Sequence, residues 1–314
     1  MARRDPLAAR IAALDALAKQ AGPVDIPPLR EALRDRSSLL VAAAARVIKA
    51  HRLTETAPDL ASALDRHYEA ADPQCRAKHA LLSALIDLDH ADGAMCVRAA
   101  GHFQPEPGWG GSRDSAGPLR ILGLEGLTAR GRPEVHVVLA DLLADPLAEV
   151  RSAAAKVAAD IGGDRAGLLL RLRLRLGDEE EPANLGDYAA GLLAVDGEAG
   201  LPVVATLLQR AGRAAAGPLA LALGASRLPG ALPVLTAFLE GLSPHITDED
   251  LVTAIALHRS EAAATVLLGL LEEGRRGRLA AQELRFYRDR AEVVTEVQRR
   301  VTGRPDLEAI VAGW

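Results

Sequence analysis

The feature that most constrains this chain is repetition. Residues 144 to 158, Ala-Asp-Pro-Leu-Ala-Glu-Val-Arg-Ser-Ala-Ala-Ala-Lys-Val-Ala, are rewritten with variation along its length. A period of roughly 30 to 40 residues with two apolar helical patterns in each predicts a helical solenoid, in which every unit buries its face against its neighbours. Such an array grows in one dimension and needs no single large core, so 314 residues read as one all-α domain. The expected organisation is a capping helix at 1–22, a repeat array at 23–274 and a basic cap at 275–314. Apolar residues make up 49% of the chain and aromatic residues only 3%, so Leu, Ala and Val must fill the interior. Ala and Leu are also strong helix formers.

The formal charge of −5 argues against a dedicated nucleic-acid or membrane binder. Only four of the 37 basic residues are lysines, the bias a GC-rich bacterial genome imposes. Two cysteines, Cys75 and Cys96, are too few for a disulfide framework, which fits a reducing cytoplasm. Arg3 and Arg4 precede an Ala/Leu stretch, but Asp5, Asp15 and Lys19 spoil a secretion signal. Leu7, Ile11, Leu14 and Ala18 share one helical face instead. No uninterrupted apolar run reaches the length of about 18 residues that a membrane span requires.

Leu29, Leu33 and Asp35 align with Leu139, Leu143 and Asp145, each a helix end followed by an Ala-rich helix. This register predicts first helices near 26–35, 55–70, 91–103, 132–144, 164–176, 198–211, 228–241 and 260–273. Second helices follow near 38–50, 73–88, 116–129, 147–161, 185–195, 214–225, 247–257 and 276–300, the last with a break. Gly162, Gly163 and Gly197 fall where second helices end, and Pro73, Pro133 and Pro146 lie beside first turns.

At Asp145, Val150 and Arg151 the segment resembles the HEAT repeat, including the bacterial PBS-lyase-type variety, and the likeness extends over nearly the whole chain. The resemblance implies a ladder in which a turn Asp and an Arg early in the second helix link successive units. Asp145 with Arg151 matches it, Asp72 with Arg76 matches it with a shorter turn, and Asp35 supplies the acid while Val41 occupies the basic position. A carboxylate there can cap free helical N–H groups and accept from an Arg at once.

Residues 104 to 115 separate the two helices of the third unit by an unusually long loop. Trp109, set among Gly108, Gly110 and Gly111, either anchors a partner or tucks over the edge of the array. Arg113 is the cation beside it. Cys75, His79, His90, Cys96 and His102 lie close in sequence, but their spacing matches no zinc rhythm, so neither metal nor cofactor is expected. In Leu168 to Leu176 a helical projection gathers Leu168, Leu169, Leu172 and Leu176 on one face and Leu170 and Leu174 on a second, as in a helix packed between two neighbours. Arg171 and Arg175 form a basic edge beside the acidic turn Asp178, Glu179, Glu180 and Glu181. From Arg275 to Arg304, nine arginines face four acids, which places Arg285 and Arg288 among candidate partner contacts.

No nucleophile elbow, H-E-x-x-H or Cys-His arrangement occurs in a convincing frame, and no catalytic residue is assigned. The expected function is a non-catalytic scaffold that holds another protein or peptide on the concave surface. The alternatives that the resemblance offers are a DNA-binding or DNA-repair protein and a bilin-lyase-like pigment attachment protein. A largely apolar cavity of roughly 300 to 1,000 Å³ would favour a small ligand over a protein partner.

Overall fold

The computed structural model describes residues 6–108, 110–177, 179–241 and 244–314. The described residues are predominantly helical, and they form the HEAT-like helical repeat fold expected from the sequence. The chain divides into two compact units, Met1–Val157 and Ala158–Trp314.

In the first unit, α1 (Pro6–Leu17) precedes the hairpins α2 (Ile26–Leu33) with α3 (Ser38–Ala50), α4 (Ala57–Glu69) with α5 (Arg76–Asp87), and α6 (Gly93–Ala100) with α7 (Gly117–Thr128). Next comes α8 (Val135–Leu143), and the division between the units falls inside α9 (Ala148–Ile161). The second helices stack in series, α1 on α3, α3 on α5 and α5 on α7, while α2 meets α4 and α6 meets α8. In α3 this two-sided packing buries Leu40, Val41, the run Ala42 to Ala45, Val47 and Ile48. Small side chains on one face let the neighbouring helix come close while larger ones fill the space on the other.

The second unit repeats the scheme. Its helices are α10 (Gly163–Leu176), α11 (Pro182–Asp196), α12 (Leu201–Arg210), α13 (Arg213–Ser226), α14 (Ala231–Glu240), α15 (Asp248–His258), α16 (Glu261–Leu270), α17 (Gly274–Glu283), α18 (Ala291–Val301) and α19 (Pro305–Val311). Here α11, α13, α15, α17 and α19 stack in series. Thr247 and Ser260 cap α15 and α16 by accepting the backbone N–H groups of Asp250 and Ala263, both at 3.0 Å. The stretch Pro182–Arg210 is long and apolar enough to cross a membrane by composition alone. It is folded instead as α11 and α12, which both pack on α13 and are separated by a turn at Gly197 with φ +56°.

Three local expectations are corrected. The segment read as a loop holds an antiparallel hairpin of β1 (Pro105–Gly108) and β2 (Gly111–Asp114), pairing Pro105 with Asp114 and Gly108 with Gly111. Gly110 and Gly111 supply positive φ at its turn, which a side chain would resist. The helix read at 276–300 breaks, as expected, at a 3-10 turn, Leu284–Tyr287, but α19 follows where none was expected. Only one of the two leucine faces of α10 is packed: Leu170 and Leu174 are buried, whereas Leu168, Leu172 and Leu176 are exposed. Trp109 lies outside the described residues.

Candidate functional site

The turns of the first unit are built on aspartates. Asp35, Asp114 and Asp145 each accept the backbone N–H two residues on, from Ser37, Ala116 and Leu147, at 2.8 to 3.0 Å. A cation stands six residues after Asp114 and Asp145, whereas Asp35, with Val41 at that position, pairs with Arg10 at 3.0 Å. Arg120, with no exposed side-chain surface, donates to Asp114 Oδ2 at 2.6 Å, to Asp145 Oδ1 at 2.9 Å and to the His102 carbonyl at 2.9 Å. Its guanidinium also lies 4.3 Å from the Phe103 ring centroid. Burial alone would lower the pKa of Arg120, but the bonds from Asp145 and Asp114 outweigh it and raise the value. Arg151 in turn donates to the backbone carbonyls of Asp145 at 2.8 Å and Pro146 at 3.2 Å.

The expected pairing of Asp72 with Arg76 is incorrect. Asp72 accepts the N–H groups of Ala77 and Lys78 at 2.9 Å, and the buried Lys78 ammonium stands 3.4 Å from its carboxylate. A short 3-10 turn at Pro73–Cys75 delays the start of α5, and the cation at the sixth position is then Lys78. Arg76 points elsewhere and donates to Gln74 Oε1 at 2.7 and 3.2 Å. Sequence reasoning missed both Lys78 and Arg120. The signal was present, because Asp72 to Lys78, Asp114 to Arg120 and Asp145 to Arg151 share one spacing.

This frame shapes the lip of a groove. Gln74 and Cys75 are successive residues in left-handed backbone geometry, φ +61° and +53°. Such geometry costs roughly 1–2 kcal/mol for each residue with a side chain. It is held from two sides: Glu106 of β1 accepts the Gln74 N–H at 2.7 Å, and the Asp72 carbonyl accepts the Cys75 N–H at 2.9 Å. Gln104 ties the two together, donating to the Asp72 carbonyl at 2.7 Å and accepting from Lys78 at 2.7 Å. The hairpin therefore braces the turn before α5. Glu106 is held below the usual carboxylate range by its bonds from Gln74 and Gln104.

The groove itself runs along α1, α3, α5 and α7 and encloses about 780 Å³. Its surface is mainly apolar, including Ile11, Leu39, Ala42, Ala80, Pro118 and Leu119. Three cations border it. Arg46 is paired with Asp15 at 2.7 Å, and Lys49 with Asp87 at 3.1 Å. Arg76 forms no ion pair among the described residues, and its bonds to Gln74 leave its charge uncompensated. His79 also lines the groove, its pKa lowered by burial and then by the Lys49 charge, which leaves it neutral near pH 7. Burial pushes the Cys75 thiol up to about 11, so it is not a nucleophile at neutral pH. The groove therefore offers shape, apolar surface and, among the described residues, one cation without an ion pair.

Among the described residues no three His, Cys, Asp or Glu side chains gather as metal ligands. Cys75 and Cys96 are separate buried thiols, and His102 packs edge-on against Tyr68 with ring centroids 5.2 Å apart. The sequence candidates for partner contact do not meet at one place. Arg113 is on β2, paired across the strands with Glu106. Arg171 is bonded to Asp196, and Arg175 stands in the open on α10. Arg285 lies 5.4 Å from the Phe286 ring centroid, and Arg288 is exposed three residues on.

No family model matches the chain, and no curated protein matches it. A solved structure that it resembles is human deoxyhypusine hydroxylase in complex with glycerol, at 22% identity and a TM-score of 0.31, over 81% of this chain and 91% of that one. Likeness at that level assigns no activity here. The expected non-catalytic scaffold is corrected: no comparison supports it, and a helical-repeat fold by itself neither excludes catalysis nor implies an adaptor.

Proposed function

We propose that the first unit binds a small amphiphilic anion, a carboxylate or phosphate carried on an apolar body, in the groove along α1, α3, α5 and α7. The observation that carries this reading is the uncompensated Arg76 guanidinium at the lip of a mainly apolar groove of about 780 Å³. That volume lies in the range of small-molecule sites, which combine apolar walls with a few polar groups that fix orientation. Arg76 supplies a fork that can grip two anionic oxygens, and neutral His79 can donate one further hydrogen bond. The apolar body would lie over Leu39, Ala42 and Ala80.

Titration with the fluorescent anion 8-anilinonaphthalene-1-sulfonate, followed by displacement with dodecanoate, tests the reading. Saturable binding at one site is expected, with displacement by dodecanoate but not by an uncharged dodecyl glycoside. Arg76→Gln should weaken binding about tenfold, equivalent to about 1.4 kcal/mol. Ser83→Trp should block the groove, with helix content unchanged by circular dichroism. Absence of saturable binding, or equal affinity in both variants, defeats the proposal.

A further inference from the structure

The exposed apolar side chains of this protein are unevenly distributed. Seven large ones among the described residues are at least 38% exposed, and three of these lie on α10: Leu168 at 66%, Leu172 at 57% and Leu176 at 57%. Their spacing of four residues places them on one stripe of the helix. Contiguous apolar patches of this kind are uncommon unless something covers them.

Among the described residues the charges around the stripe are mainly positive, with Asp164 in the first turn of α10 as the acid on the same side. Arg165 lies within the stripe by helical projection, and Arg171 and Arg175 run along one edge. Beyond that edge a recess of about 740 Å³ separates α10 from α12, floored by Leu174, Val203 and Leu207. Arg210 stands on its far side. Arg171 is bonded to Asp196, while Arg165, Arg175 and Arg210 form no ion pair among the described residues. Nearby carboxylates form no ion pair with them among the described residues: Glu179 is engaged by Arg173 and Tyr188, Asp164 shares the first turn of α10 with Arg165, and Glu180 and Glu181 follow its last turn.

Leucines standing out of a helix beside a group of arginines, three of them without an ion pair among the described residues, fit an interface in which apolar groups enter hydrocarbon while cations meet phosphates. A second copy of this chain is a poorer occupant, because a symmetric contact would set the same arginines against each other. We propose that the α10 and α12 face of the second unit docks on the surface of a bilayer that contains anionic lipid. Docking of this kind requires no membrane-spanning segment, and it is independent of the groove in the first unit.

Co-sedimentation of the full chain with vesicles tests this directly. The protein should pellet with vesicles of phosphatidylcholine containing roughly one-third phosphatidylglycerol and not with phosphatidylcholine alone, and the binding should weaken as salt rises. The triple variant Leu168→Gln, Leu172→Gln, Leu176→Gln changes only exposed positions and should keep its helix content. It should lose binding about tenfold or more, as should Arg175→Glu with Arg210→Glu. The proposal is overturned if the wild-type protein stays in solution with anionic vesicles, or if the leucine variant pellets equally well. Equal binding to neutral vesicles also overturns it. Displacement from the vesicles by soluble polyglutamate at matched charge would overturn it in favour of an acidic protein partner.

Discussion

Arg120 shows how a single side chain can hold two repeats together. Its guanidinium is fully buried, and it answers the carboxylates of Asp114 and Asp145, which belong to successive turns. Breaking a buried ion pair from one side strands the remaining charge, at a cost of about 3–5 kcal/mol. Arg120→Met should therefore lower the unfolding free energy by about that amount, measured by urea denaturation followed by circular dichroism. A loss below about 1 kcal/mol would mean that the cluster behaves like a solvated surface pair. Part of this arrangement was legible. Asp35, Asp72 and Asp145 stand in turns, as their positions ahead of Ala-rich helices imply. The cations were harder to place, because the 3-10 turn at Pro73–Cys75 shifts the register of α5 by two residues and its left-handed geometry carries no glycine to announce it.

Helix positions follow from apolar period and turn residues, which explains why α3 occupies the predicted span 38–50 and why α4, α7, α9 and α10 fall within about two residues of expectation. The β-hairpin was illegible for the opposite reason: Pro105, Pro107, Gly108, Gly110 and Gly111 are poor strand formers. It holds through side-chain bonds in addition to its ladder, with Gln104 and Glu106 reaching the turn before α5 and Asp114 accepting the Gln104 N–H at 2.9 Å. The spacing between stacked helices is set by glycines. A Cβ at Gly224 of α13 would stand 1.9 Å from the Ala254 carbonyl oxygen of α15, whereas one at Gly269 of α16 meets nothing within 4 Å. The same chemical change should therefore act in opposite directions. Gly224→Ala forces two backbones apart and should destabilise by about 1–3 kcal/mol or more, while Gly269→Ala should stabilise by about 0.4–1 kcal/mol by restricting the unfolded chain. Thermal unfolding of the two variants checks the pair, and equal shifts of one sign would refute the close crossing of α13 and α15.

At the scale of the whole molecule, a helical repeat fixes which helices touch and leaves the chemistry to whatever side chains its surfaces carry. The inference from repeats to a scaffold failed at this step, because a fold does not by itself fix a function. The groove residues were not foreseen together for a related reason. Leu39 and Arg46 lie on α3 and Arg76 and His79 on α5, and only stacking brings the two pairs to one surface. The same series of local contacts has a consequence for stability. In the second unit α13 is packed by α11 and α15 on its two sides and also meets α12 and α14, and it buries Ala216, Leu219, Ala220, Ala222 and Leu223. At the end of the stack, α19 touches α17 and α18 and buries Leu307 alone. Opening α19 therefore exposes one leucine, whereas opening α13 must separate four neighbours. In a fold stabilised mainly by nearest-neighbour interfaces, the end elements open at the lowest free energy. Native-state hydrogen exchange read by mass spectrometry should show α19 exchanging first and α13 last within this unit, with α11 and α15 close behind α13. Comparable protection of α19 and α13 would mean that the unit unfolds as a single cooperative block rather than from its end.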